Sequence, residues 1–202
     1  MRDPYLYDDV EVLKNLLNIR DEKLLDEAES NITYIKLLDI DRLSENCSFD
    51  IAYLKSLHKY IFSDIYEWAG TFRTIPMIKG ERVLGGDTVR YSQPNAIEKD
   101  LSDAIRKLHS VDWSVLSIEE TAKEFSVRIA EIWQVHPFRE GNTRTTITFA
   151  TQFAFHHGFT MDKNLLKECA GYVRDALVKA SDGQYSEYHY LERIFKDAIL
   201  QG

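Results

Sequence analysis

The chain is short of cysteine, proline and glycine, and each shortage excludes something. Two cysteines, Cys47 and Cys169, occur in 202 residues with no CxxC pair, which leaves neither a disulfide framework nor a zinc knuckle. Four prolines and nine glycines form no Ser/Pro-rich linker, repeat or low-complexity tract, so residues 1–202 read as a single domain. Positive charge is also in deficit. The 25 Lys and Arg face 33 Asp and Glu, a net charge of −8, which argues against affinity built on blanketing phosphates and leaves only local basic sites. Long apolar runs are missing too: the longest uncharged stretch, Thr145–Met161, holds five threonines, Gln152, His156, His157 and Gly158. That is the content of a buried helix and not of a membrane span. The opening Met-Arg-Asp-Pro-Tyr lacks a signal-peptide apolar stretch, and the expected compartment is the cytoplasm. What the chain does have is core material, at 44% hydrophobic and 12% aromatic residues, enough to argue against general disorder.

Apolar spacing predicts helices almost throughout. Val10, Leu13, Leu16 and Leu17, then Leu24, Leu25, Ala28, Ile32 and Ile35, recur at helical intervals and give two short helices within residues 1–45. Ile51, Leu54, Leu57, His58, Ile61, Ile65 and Trp68 form one stripe. They predict a helix over 50–68, with Ser48 or Asp50 as its cap and Gly70 as its stop. The breakers then gather between Gly70 and Pro94, where Phe72–Ile78 and Val83–Tyr91 are short β-prone runs around Gly85-Gly86, a predicted hairpin over about 72–91. Helical patterns resume at 94–109, 118–135, 143–157, 165–179 and 185–200. The fold class is all-α, a helical bundle with one short β-hairpin.

One segment concentrates chemistry: His136-Pro137-Phe138-Arg139-Glu140-Gly141-Asn142-Thr143-Arg144. Pro137 restricts His136 and stops the helix before it, while Gly141 and Asn142 tolerate unusual backbone angles where the next helix starts. Such a loop exposes unpaired N–H groups at a helix N-terminus, an anion site with Arg144 in its first turn. An imidazole, a carboxylate, a phosphate-grade loop and a guanidinium within one loop point to phosphoryl or nucleotidyl transfer.

His136-Pro137-Phe138-x-Glu140-Gly141-Asn142-x-Arg144 resembles the signature of the Fic-domain family (filamentation induced by cAMP). Leu57-His58, Phe62–Gly70 and Arg73 are similar to the helix before that family's β-hairpin flap. The resemblance implies a Fic-fold core over 46–200 that transfers AMP from ATP to a protein hydroxyl, and to itself, with Mg²⁺ and release of pyrophosphate. It implies His136 as general base, Glu140 as the Mg²⁺ ligand, and Gly141, Asn142, Thr143, Arg144 and the flap's Lys79 around the nucleotide. Phe138 becomes a buried anchor, and Ile75, Met77 and Ile78 the flap strand that receives a target segment by strand addition. The partners implied are ATP, a target protein with an exposed hydroxyl, and a separate antitoxin or regulatory protein. Neither a membrane nor direct nucleic-acid binding is expected, and export into a host as an effector stays compatible.

Two departures qualify the resemblance. Thr143 stands where the common motif has Gly, and Ile147 stands where a second arginine would hold the γ-phosphate and pair with an inhibitory glutamate. The inhibitory pattern (Ser or Thr, three residues, Glu, then Gly or Asn) does not occur, so the expectation is an enzyme free of that restraint, active alone or regulated by a partner. Two other functions stay open: a kinase of the Doc type with inverted nucleotide, and a catalytically weak partner-binding module. Outside the loop the plain readings are preferred. His58 and Trp68 belong to the core, Cys47 and Cys169 are inert thiols, His156-His157 close a helix, and Glu119-Glu120 open one. Tyr185, Tyr188 and Tyr190 are assigned no site.

Overall fold

The computed structural model describes residues 2–45 and 47–200. Helices form where caps and apolar stripes coincide. Asp21 accepts the Leu24 N–H and opens α1 (Glu22–Leu37), and Asp50 accepts the Tyr53 N–H and opens α2 (Ile51–Phe62). Then follow α3 (Ile97–His109), α4 (Ile118–Val135), α5 (Asn142–His156), α6 (Lys163–Glu168), α7 (Ala170–Ala180) and α8 (His189–Ala198). A reciprocal Ser117–Glu120 capping box starts α4, and this helix is the axis of the bundle. It packs on α3, α5, α7 and α8, while α2 lies against α5 and α1 against α2. Phe125, Phe153 and Phe195, all fully buried, fill the space between them with Trp113.

Four sequence expectations are corrected. Val10–Leu17 is not helical: Asn15 donates to Leu13 O and Ile19 O and accepts from the Ile19 N–H, so its side chain replaces helical bonds with a local turn. The helix predicted to Trp68 stops at Phe62, whose carbonyl accepts from both Ile65 and Tyr66. Gly70 does not cap α2 but folds back on it; at φ +79° it donates its N–H to His58 Nδ1 at 2.8 Å. The pattern over 165–179 is interrupted at Cys169, whose backbone leaves the helical region at φ −95°, ψ 15°. Leu166 of α6 and Val173 of α7 are both buried on either side of that break.

The fourth correction concerns the flap. Residues 72–91 turn back on themselves as a hairpin would, but no regular strand is present among the described residues. The arms are joined by the Glu81 N–H to Asp87 O, the Gly86 N–H to Glu81 O and the Lys79 N–H to Thr88 Oγ1. Arg73 takes the carbonyls of Ile75 and Ser92 at the roots of the two arms, and Pro76 has no N–H to give. No helix among the described residues is long and apolar enough to cross a membrane.

Candidate active site

The α4 helix ends on His136, which adopts the left-handed conformation at φ 51°, ψ 58°. Its ring lies between Tyr91 of the flap (centroids 4.2 Å apart) and Trp133 of α4 (5.1 Å). Both ring nitrogens are buried without a hydrogen-bond partner among the described residues. Burial first, then the charges of Lys79 and Arg73, push the imidazole well below its ordinary pKa, so the ring is neutral at pH 7 and has a lone pair to offer. Phe138 anchors the loop behind it, stacked at 3.8 Å on the fully buried ring of His58. His58 in turn ties three segments together. Its Nδ1 accepts from Gly70, which leaves Nε2 to donate to Glu140 O at 3.0 Å. Burial drives its pKa down to about 4.

Gly141, at φ +77°, admits the loop to α5. A Cβ there would lie 2.2 Å from Cζ of Phe62, so only glycine lets the α5 N-terminus approach α2 this closely. The helix then opens with no side-chain cap, which leaves its first N–H groups free to meet an anion. Glu140 stands beside them, donating nothing and accepting the Gly141 N–H at 3.0 Å. Burial raises its pKa, but Lys79, that N–H, Arg139 and Arg144 outweigh the effect and hold it below the ordinary carboxylate range. Lys79 Nζ reaches from the flap to 3.6 Å from Glu140 Oε2.

His136, Glu140, Gly141, Arg144 and Lys79 therefore lie close together at the start of α5. Two predicted residues use their side chains differently. The Asn142 amide is closed on Phe138, accepting its N–H at 2.9 Å and donating to its carbonyl at 2.8 Å. The Thr143 hydroxyl accepts the Trp133 indole N–H at 2.9 Å. Both side chains shape the loop, and their backbone N–H groups are what face the anion site. Ile147 packs partly buried against the core. In the flap, exposure alternates residue by residue. Ile75 and Met77 are half-buried while Ile78 is 82% exposed.

Three residues escaped the sequence as members of the site. Glu29 of α1 pairs with Arg144 at 3.2 Å and accepts the Tyr66 hydroxyl at 2.7 Å. Burial raises its pKa against the opposing pull of Tyr66 and Arg144. The missing inhibitory pattern implied that no glutamate would stand over the anion site, yet a helix 115 residues upstream delivers one. Tyr91, legible in the sequence only as the closing end of the flap, and Trp133, which no motif announces, wall in His136.

The family model described as Fic/DOC matches residues 48–154. The chain belongs to this family. Among curated relatives, the Fic chain is 33% identical over 188 residues to "Probable protein adenylyltransferase y4lH" of Sinorhizobium fredii, covering 91% of this chain and 90% of the relative. It is 34% identical over 164 residues to "Protein adenylyltransferase VbhT" of Bartonella schoenbuchensis, covering 79% of this chain and 32% of that longer protein. Its fold matches that of the BepC protein of Bartonella tribocorum with bound AMPPNP, at TM-score 0.77 and 23% identity, over 98% of this chain and 97% of the other. The predicted all-α Fic fold is thus the observed one.

Proposed function

We propose that this Fic domain, spanning residues 1–202, is a protein adenylyltransferase that moves AMP from ATP to a Ser, Thr or Tyr hydroxyl of a target protein, and to itself. One observation carries the reading: a neutral, buried imidazole whose ring nitrogens have no partner among the described residues ends the helix before a loop that leads to an uncapped helix N-terminus. An attacking hydroxyl supplies the missing hydrogen bond. His136 takes its proton as the oxygen attacks the α-phosphorus, the new ester bond forms, and the bond to the departing pyrophosphate breaks. The N–H groups of Asn142, Thr143 and Arg144 bind phosphate oxygens, and the Arg144 guanidinium and Lys79 ammonium meet their charge. The names of the curated relatives are those of adenylyltransferases, which supports AMP over phosphate as the group transferred.

Glu140 fits Mg²⁺. It is a carboxylate beside the α5 N-terminus, held below its ordinary pKa, and a hard oxygen donor of the kind this ion takes together with substrate phosphates and water. Bound there, Mg²⁺ offsets charge on the phosphates. Ile75, Met77 and Ile78 in the extended arm of the flap are the docking positions for the target segment, whose backbone pairs with carbonyls and N–H groups the flap leaves without a ladder. A separate regulatory protein is the partner this reading adds.

The test is incubation with Mg²⁺ and ATP followed by intact-mass and peptide mass spectrometry, with His136→Ala alongside. One added AMP on the protein or on a lysate protein, absent with the variant, is the expected result. One added phosphate would make the chain a kinase. No adduct despite measurable ATP binding would leave a binding module and overturn the reading.

A further inference from the structure

Among the described residues, Arg73 is a buried cation that pairs with no carboxylate. The residue is 2% exposed, and its side chain donates to four backbone carbonyls. Nε reaches His136 O at 2.7 Å, Nη1 reaches Ile75 O at 2.7 Å, and Nη2 reaches Ser92 O at 2.5 Å and Val135 O at 3.4 Å. Its backbone N–H adds a bond to Pro137 O at 2.9 Å. Three of these five acceptors belong to Val135, His136 and Pro137, where α4 gives way to the active loop. The other two, Ile75 and Ser92, are the roots of the two flap arms. A guanidinium in this setting forfeits hydration that an apolar residue of similar size would not need. Stability alone gives little reason for it, whereas its fork joins two segments at fixed spacing.

What those segments carry gives the reason. The His136 ring has no polar group to set its direction. Its aim comes from its backbone, held at φ 51°, an uncommon conformation for a residue with a Cβ, and from the Tyr91 ring against it. Arg73 holds the first at His136 O and the second through Ser92, next in sequence to Tyr91. We infer that Arg73 is the positioning residue for His136, and that it locks the histidine and the flap into one register so that a target hydroxyl docked on the flap arrives in line with the imidazole. The inference rests on His136 being the base. Lysine cannot replace Arg73, because one ammonium on a flexible stem does not span carbonyls arranged for a planar fork.

The test compares wild type, Arg73→Lys, Arg73→Ala and His136→Ala. Initial rates of AMP transfer, ATP affinity by calorimetry, thermal midpoints, and hydrogen exchange over 73–92 and 136–144 are read for each. Arg73→Lys is expected to slow transfer about 100-fold, the effect of a misplaced reacting group, with ATP affinity unchanged within about twofold. Exchange should rise together in the flap roots and the 136–138 segment, and added guanidinium ion should restore part of the rate of Arg73→Ala without raising its midpoint. A wild-type rate in Arg73→Lys, or exchange that rises in only one of the two segments, would overturn the inference. Exchange decides it even where no transfer is measured. If the arginine variants do not fold, Tyr91→Leu, which keeps all five Arg73 bonds, carries the test. It should lower transfer at constant ATP affinity, and a wild-type rate would overturn the register argument. A wild-type rate in His136→Ala would instead remove the base assignment itself.

Discussion

Arg144 has two competing anions. Phosphate oxygens at the α5 N-terminus would take it as a substrate clamp, and Glu29 already holds it at 3.2 Å. Glu29 is mostly buried, keeps a Tyr66 hydroxyl bond, and has its pKa raised by the loss of hydration, so it is a carboxylate under mild electrostatic strain. Replacing it with glutamine keeps an acceptor for Tyr66 and removes the charge that ATP must displace. Glu29→Gln is therefore expected to bind ATP about fivefold tighter, the scale of one partly exposed ion pair, measured by calorimetry. Equal or weaker affinity would mean that Arg144 serves the phosphates without leaving Glu29. Sequence reading missed this contact because nothing local marks Glu29. It faces Arg144 only because α1 packs on α2, which itself lies against α5.

Among the elements, those with chemical end-markers were legible and those shaped by a distant side chain were not. The Ser117–Glu120 box and Pro137 bracket α4, and its predicted span matches the observed Ile118–Val135. The Val10–Leu17 pattern failed because the Asn15 amide offers the backbone a competing turn. In the flap, Arg73, placed by tertiary packing, occupies the Ile75 and Ser92 carbonyls at the roots of the two arms, a contact that no local pattern announces. In the same way, the sequence brings His136, Glu140 and Arg144 together in one loop but says nothing of how α5 seats against α2. That seat depends on Gly141, whose positive φ and missing Cβ admit Phe62, a fully buried ring 4.7 Å from that of His58. Gly141→Ala combines left-handed strain with overpacking against a ring that has no room to retreat, a cost of about 3 kcal/mol. The thermal midpoint should fall by roughly 10 °C, with ATP binding weakened because the N–H groups of α5 shift. A fall under about 2 °C would show that Phe62 gives way.

Over the whole molecule, acidic composition and a well-filled core set how stability responds to pH. Two histidines, His58 and His136, are buried at 0% and 4% exposure and are held neutral. The unfolded chain has no such burial, so its histidines titrate near pH 6.5. Above that pH both states are neutral and these groups contribute no slope. As pH falls from 6.5, the unfolded chain binds protons that the fold refuses, and stability drops until the folded groups titrate in turn. For His58, whose folded pKa is about 4, the full loss is about 3 kcal/mol, and His136 acts in the same sense. Glu140, with its folded pKa lowered, adds a further loss at lower pH, where its carboxylate is protonated. Glu29, with its pKa raised, opposes it. Urea unfolding at pH 7, 6 and 5 should thus show stability falling by about 1–2 kcal/mol per unit below 6.5. His58→Gln, less stable at pH 7 through its altered bonds to Gly70 and Glu140, should show a shallower slope, with His136 and His157, also lowered by burial, carrying the rest. A wild-type stability flat between pH 6.5 and 5 would mean that both rings take up protons in the fold, and His136 would then be a cation, unable to serve as a base at the acid end of that range.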